Sequence, residues 1–443
     1  MLPCLFQLDS LKAITMAASF RTSVLTSHLR IARSAFVISG LLVAACSRPQ
    51  TDQPISSTDT VTTNYIPGSY GYDLQELRSY HPDLVELSDR DMKAKVIILP
   101  AYQARVMTST ATGDAGQSFG WVNHKLIASG GSMPHIHPFG GEERFWLGPE
   151  GGQFSIYFKK GVPFTYDNWQ VPEAIDTERF SLVSASPSEA KFEKDMQLEN
   201  YSGNVFDLRV NRNVRLLSRN QLDSLLGFTI DANVESVAFE TENVITNTGT
   251  QPWTKRTGML SVWILSMMNA SDSTTVAVPY VAGDDNVLGK IVTDDYFGKV
   301  PSDRLMIKDG VILFKADGNF RSKIGVSPKR AKPVVASYDA VNGVLTLAMF
   351  TLPKEGQYVN SKWEMQKDPF SGDAINSYND GPVNGSQMGK LYEIESSSPA
   401  AALKPGESLT HFHRTIHLKG NAPELNKVAE KLLGVGISEI SIK

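Results

Sequence analysis

Cysteine is nearly absent: the 443 residues hold two, Cys4 and Cys46, both near the N-terminus. A disulfide framework for the rest of the protein is therefore excluded. Long runs of like charge are missing as well. Charged residues make up 20% of the sequence and the formal net charge is −4, so nucleic acid is not an expected partner. Helical periodicity is scarce, no internal repeat is visible, and no linker-like stretch interrupts the sequence after about residue 64. Nothing in the composition asks for a cofactor.

What the N-terminus does have is a basic segment with Arg21, Arg30 and Arg33, then the apolar run Ala35-Phe36-Val37-Ile38-Ser39-Gly40-Leu41-Leu42-Val43-Ala44-Ala45. That run has the length of a signal h-region and is too short to span a bilayer as a stop-transfer helix. It ends in Val43-Ala44-Ala45-Cys46, which resembles the lipobox of bacterial lipoproteins. Small residues admit the peptidase, and the thiol carries the diacylglycerol. The expectation is a signal peptide over 1–45 (with Met16 as an alternative start), a lipidated Cys46 and a polar tether over 46–64. Cleavage leaves 39 basic against 46 acidic residues, a formal charge near −7, so the acyl chains rather than basic side chains supply the anchoring. The expected location is the bacterial cell envelope, on the outer membrane facing the periplasm.

Residues 65–443 read as one all-β domain. Strand-like stretches recur at 95–99, 153–159, 205–217, 234–246, 259–267, 274–281, 311–315, 344–352 and 409–418, with Asp309-Gly310 and Asn342-Gly343 as turns between neighbours. Helices are expected at 73–80, at 218–226 with Ser218 as cap, and at 423–433 with Gly434 just past its end. The size suits a large antiparallel two-sheet supersandwich with few short helices.

Two segments hold the candidate chemistry. The first is Met133-Pro134-His135-Ile136-His137-Pro138-Phe139-Gly140-Gly141-Glu142-Glu143-Arg144-Phe145-Trp146-Leu147-Gly148-Pro149-Glu150-Gly151-Gly152. Its glycines are expected to bring backbone close to a ligand. Arg144 offers a fork of donors, Glu143 and Glu150 accept hydroxyl protons, and Trp146 offers a flat apolar face. That mixture suits a pyranose; the blander reading is a sheet corner with surface ion pairs. The second runs from Leu391 to His417: Glu393 and Glu395 share one face of a strand, and His411, His413, Thr415 and His417 share one face of the next.

The run from Glu393 to Leu418 resembles the C-terminal signature of the galactose mutarotase-like (aldose 1-epimerase) superfamily, with Leu403-Lys404-Pro405-Gly406-Glu407 opening the last strand. Thr246-Asn247-Thr248-Gly249 resembles that superfamily's Thr-Asn-X-Gly turn, and the stretch Gly140 to Trp146 resembles the segment that places its sugar-binding arginine. More closely, the mature chain resembles a family of exported bacterial proteins catalogued only as a domain of unknown function. Phe145-Trp146-Leu147-Gly148-Pro149-Glu150-Gly151-Gly152-Gln153 and Asn376-Ser377-Tyr378-Asn379-Asp380-Gly381-Pro382 carry that match. The resemblance implies a supersandwich and a small-molecule or oligosaccharide ligand. It implies a catalytic glutamate, for which Glu395 is the candidate general base, and a sugar-binding arginine at Arg144; Glu143, Trp146, Glu150, His135, Glu393 and His413 of the two segments are the further expected sugar contacts.

One departure stands out. Mutarotases carry an acid histidine in the strand after the Thr-Asn-X-Gly turn, and here that strand reads Gly258-Met259-Leu260-Ser261-Val262-Trp263-Ile264-Leu265. Ring opening needs an acid at the ring oxygen as well as a base at the anomeric hydroxyl. His137 or His411 is the expected substitute. A glycan-binding protein without catalysis is the alternative. A second alternative is a metal-dependent enzyme, since His135-Ile136-His137 with Glu142 is similar to the first cupin motif; the histidine of a second cupin motif is not at its usual spacing.

Overall fold

The computed structural model describes residues 64–131 and 133–442; the expected signal peptide, Cys46 and nearly all of the expected tether lie outside them. The described residues belong to one compact unit, Thr62–Lys443. Among them no helix is long and apolar enough to cross a membrane.

Among the described residues the strands form three antiparallel sheets. The smallest holds β1 (Val85–Ser88), β2 (Lys95–Leu99) and β3 (Arg105–Thr110). A six-stranded sheet holds β4 (Arg144–Gly148), β9 (Ser261–Leu265), β10 (Met268–Asn269), β14 (Ser322–Val326), β17 (Ile375–Asn379) and β18 (Leu391–Ser397), in the order β14-β17-β18-β9-β4 with β10 paired to β18. A ten-stranded sheet holds β5 (Ser181–Ala185), β6 (Glu189–Glu199), β7 (Val205–Leu216), β8 (Glu235–Asn247), β11 (Thr275–Pro279), β12 (Leu305–Lys308), β13 (Val311–Lys315), β15 (Val334–Asp339), β16 (Val344–Phe350) and β19 (Ser408–Lys419). Its order is β12-β13-β11-β15-β16-β19-β8-β7-β6-β5.

The strands follow from alternation. In β7, Phe206, Leu208, Val210, Val214 and Leu216 are buried, while Val205 before them and Arg209 and Asn211 between them are exposed. A period of two puts those apolar groups on one face, and burying a large one contributes roughly 1.5–3 kcal/mol. Among the described residues five helices lie around the sheets: α1 (Tyr70–Tyr80), α2 (His124–Ser129), α3 (Arg219–Leu226), α4 (Asp285–Leu288) and α5 (Ala422–Leu433). Helix α3 starts at a capping box of Ser218 and Gln221, and α5 ends at Gly434 with φ 78°, both as read from the sequence. Helix α1 begins three residues earlier than expected, because Ser69 accepts from the Tyr72 amide and caps it.

One expected strand is missing. Residues 153–159 alternate in sequence, yet they form a tucked loop in which Phe154, Ile156, Tyr157 and Phe158 are all buried. Ser155 is the reason: its hydroxyl donates to the Glu150 carbonyl and accepts from the Tyr157 amide, replacing ladder bonds with local ones.

Candidate functional site

The two faces of β18 separate the candidate residues. Tyr392, Ile394 and Ser396 point toward the ten-stranded sheet: the Tyr392 hydroxyl lies 2.7 Å from Ser337 Oγ, and Ser396 Oγ lies 2.9 Å from His411 Nε2 and 2.8 Å from His413 Nδ1. Glu393 and Glu395 leave the other face. Across β9, Leu265 is the register partner of both Arg144 and Glu395, so these two flank it on the same face, roughly 10 Å apart along the ladder direction. Segments 250 residues apart in sequence thus meet side by side.

That outer face is a charged surface with tryptophan beside it. Arg144 donates to Glu393 at 2.5 Å. Glu395 accepts from Trp263 Nε1 at 2.8 Å and lies 3.0 Å from the Lys323 ammonium. The Arg144 guanidinium sits 5.0 Å from the Trp146 ring centroid, and Lys323 sits 5.0 Å from that of Trp263. The Arg144, Glu393, Lys323 and Glu395 side chains are 3%, 7%, 12% and 1% exposed, so these charges are paired out of bulk water. Two loops contribute to the enclosure. Tyr296 lies 5.7 Å from the Lys323 ammonium and donates to Asp373 at 2.6 Å; the Glu150 amide donates to Ser361 Oγ at 3.2 Å. The loops are joined by Lys362 and Asp295 at 3.3 Å.

Enclosure shapes the electrostatics. Burial pushes Glu150 up to about 7, with the negative charge of Glu395 acting the same way and Lys323 opposing. Glu393 is raised chiefly by burial, against the pull of Arg144. Burial alone lowers the Lys323 ammonium, but Glu395, Glu150 and Glu393 outweigh it and hold the proton on. Carboxyls tuned toward neutrality beside paired cations mark this face as the candidate site.

Several expected contacts lie elsewhere. Glu143 is fully buried and bonded by Arg212 at 2.8 Å in the interior, because its side chain leaves β4's approach on the side opposite Arg144. His411 and His413 are likewise interior, across β18 from Glu395, so His411 cannot be the acid and His413 cannot touch a sugar there. His137 holds Asp176 at 2.7 Å through Nδ1 and accepts the Met133 amide at Nε2, and His135 Nδ1 bonds the Trp169 carbonyl at 2.7 Å. Both are engaged with the segment that carries Trp169 and Asp176. Glu142 turns away from them to His417 at 2.6 Å, so the cupin-like ligand set is not assembled; among the described residues no group of three or more His, Cys, Asp or Glu is placed to hold a metal. The glycines serve the chain itself: a Cβ on Gly140 would lie 2.1 Å from the Trp121 carbonyl oxygen, and one on Gly151 2.3 Å from that of Lys362.

Lys323, Trp263, Tyr296 and Asp373 were not singled out from the sequence as site residues. Period-two alternation in Ser322-Lys323-Ile324-Gly325-Val326 was the available signal for Lys323.

The buried histidines carry a pH prediction. His411 is held down at about 3 by burial, whereas in the unfolded chain it takes a proton near 6.5. Below 6.5 the unfolded state binds more protons, so stability falls as pH falls and the loss levels off near 3. Between pH 7 and pH 5 the wild type should lose about 2 kcal/mol more than His411→Asn, read from urea unfolding at both pH values. Equal losses would show that His411 already titrates normally in the fold.

The chain is similar to several solved structures. The Slr1438 protein of Synechocystis sp. PCC 6803 has TM-score 0.47 and 12% identity over 75% of this chain and 95% of that one. A galactose mutarotase-like protein of Lactobacillus casei ATCC 334 has TM-score 0.43 and 10% identity over 76% and 99%. A galactose mutarotase related enzyme of Lactobacillus acidophilus has TM-score 0.41 and 12% identity over 76% and 98%. No curated protein matches. The model of a family of unknown function, DUF6786, matches residues 68–443, and the chain belongs to that family.

Proposed function

We propose that this protein is an exported, lipid-anchored protein of the bacterial cell envelope that binds a sugar on the outer face of the six-stranded sheet and moves a proton on it. One observation carries the sugar reading: the Arg144–Glu393 and Lys323–Glu395 pairs share a single enclosed face with Trp146 and Trp263. A pyranose presents hydroxyls to such charged groups and an apolar face to indoles. Proton transfer is supported by Glu395, a carboxylate within the same enclosure, flanked by carboxyls tuned toward neutral pH.

The test is a panel of aldoses read by thermal shift for binding and by NMR for exchange between anomers. Arg144→Ala is expected to weaken binding by about 1.5–3 kcal/mol, the scale of a charge-assisted hydrogen bond. A panel with no binder would end the sugar reading. Binding without exchange is the second reading, a glycan-binding protein, and it is favoured by Trp263 and Lys323, whose donors already occupy Glu395.

Anchoring is tested separately. In cells fed labelled palmitate, the wild type should take up label and Cys46→Ser should lose it and leave the membrane fraction. An unlabelled wild type would remove the lipoprotein reading and leave the sugar site untouched.

A further inference from the structure

We propose that the ligand is an oligosaccharide, and that its second unit rests on Phe297 while Arg321 donates to that unit's oxygens. The proposal rests on the sugar-site reading above and extends it from the paired charges to the β14 rim of the same face.

A single exposed ring on a protein surface needs no explanation. Phe297 differs in how firmly it is held. It is 48% exposed, on a loop over residues 294–300 that closes on itself. The Val300 amide donates to the Asp294 carbonyl at 2.9 Å, and the Lys299 ammonium lies 2.5 Å from the Asp294 carboxylate. The root of the loop is pinned to β14, where Thr293 and Gly325 exchange backbone hydrogen bonds at 2.8 Å. Asp295 is tied to Lys362, and Gly298, with φ 96°, turns the chain directly after the ring. Ordering a loop costs entropy, and here the phenyl it presents is not buried in return.

The ring is continuous with the charged face. Its chain neighbour Tyr296 is the residue that approaches Lys323. Phe297 itself meets the Tyr378 ring edge to face, with centroids 6.0 Å apart. Tyr378 is the register partner of Lys323 on one side and of Glu393 on the other, so it stands on the outer face between them.

Arg321 completes the arrangement. It lies two residues before Lys323, about 6.6 Å along the chain, and its guanidinium sits 4.1 Å from the Phe297 centroid. Arg144 and Lys323 each have a glutamate partner. Arg321 is exposed, and among the described residues no carboxylate or other acceptor engages it, so its fork of donors is open to a ligand. The combination of ring and guanidinium that Trp146 and Arg144 make is thus repeated here.

Separation decides the size of the ligand. Strands β14 and β4 are the two ends of the order β14-β17-β18-β9-β4, four strand spacings or roughly 19 Å apart. One pyranose ring over Glu393 and Glu395 on the middle strand cannot also cover Phe297. A chain of linked units can.

The experiment titrates the full-length protein by calorimetry with D-glucose, D-galactose, cellobiose, maltose and lactose. At least one disaccharide should bind about tenfold more tightly than its constituent monosaccharides, the worth of one well-placed ring contact. Phe297→Ala and Arg321→Gln should each remove most of that gain and leave monosaccharide affinity within about twofold, since separated sites act independently. Phe297→Trp should keep the gain. Monosaccharide binding with no disaccharide bound more tightly overturns the proposal and leaves the sugar site standing. A disaccharide gain that survives both Phe297→Ala and Arg321→Gln does the same. Absence of binding by every one of these sugars overturns the sugar-site reading and this proposal together.

Discussion

Glu395→Gln should leave sugar binding largely intact and lower anomer exchange by about 100- to 10,000-fold, the usual worth of a positioned general base. The amide keeps the shape of the carboxylate and one acceptor oxygen, which can take the place of Oε2, now accepting from both Trp263 Nε1 at 2.8 Å and the Lys323 ammonium at 3.1 Å. What it loses is basicity. Charge is lost with it, so Lys323, only 12% exposed, keeps Glu393 and Glu150 as its remaining countercharges. Stability should therefore drop by about 1–3 kcal/mol, the penalty for weakening a charged partner out of water. Binding titrations beside exchange rates separate the two effects. An unchanged exchange rate would rule out Glu395 as the base whatever the variant does to stability.

Arg212→Ala is expected to be the most damaging single change to stability, about 3–5 kcal/mol, because it leaves a fully buried carboxylate unpaired. Arg212 and Glu143 are both 0% exposed in their side chains and meet at 2.8 Å. The guanidinium also bonds Asn243 at 2.5 Å and the Ala104 carbonyl at 3.1 Å, tying β7 to β8 and to the chain before β3. Burial raises Glu143 against the pull of Arg212 and Thr241, so removing the arginine would favour its neutral form and recover part of the loss. The double change Arg212→Met with Glu143→Leu should regain most of it, since apolar groups of similar volume need no partner. Urea unfolding of the three variants measures this. A single Arg212→Ala within about 1 kcal/mol of wild type would mean that water already reaches the pair.

Glu143 also shows where sequence reading stops. Glu142, Glu143, Arg144 and Trp146 looked like one cluster, but Arg144 and Trp146 face the candidate site while Glu143 pairs with Arg212 and Glu142 with His417. Chain neighbours on a strand take opposite faces, so proximity in sequence argues against a shared site unless the spacing is even. The even spacing of Glu393 and Glu395 was read correctly as one face. So was that of His411, His413 and His417, but nothing local said which layer that face met. Ser396, Thr346 and Glu142 receive them in the interior.

By itself the sequence determined the all-β class, the caps of α3 and α5, and the two segments that carry most of the charged groups on the outer face. These depend on period-two alternation, on turn chemistry and on side-chain caps, all of which act over a few residues. Only the tertiary structure decided that β9 lies between β4 and β18, which sets Arg144 beside Glu393, and that β14 delivers Lys323 to Glu395. Strand order is a long-range choice made by burying whole faces at once, and no local pattern encodes it. The same holds for burial: a carboxyl is pushed up when residues from elsewhere in the chain exclude water from it, as happens at Glu150 beside the loop carrying Ser361.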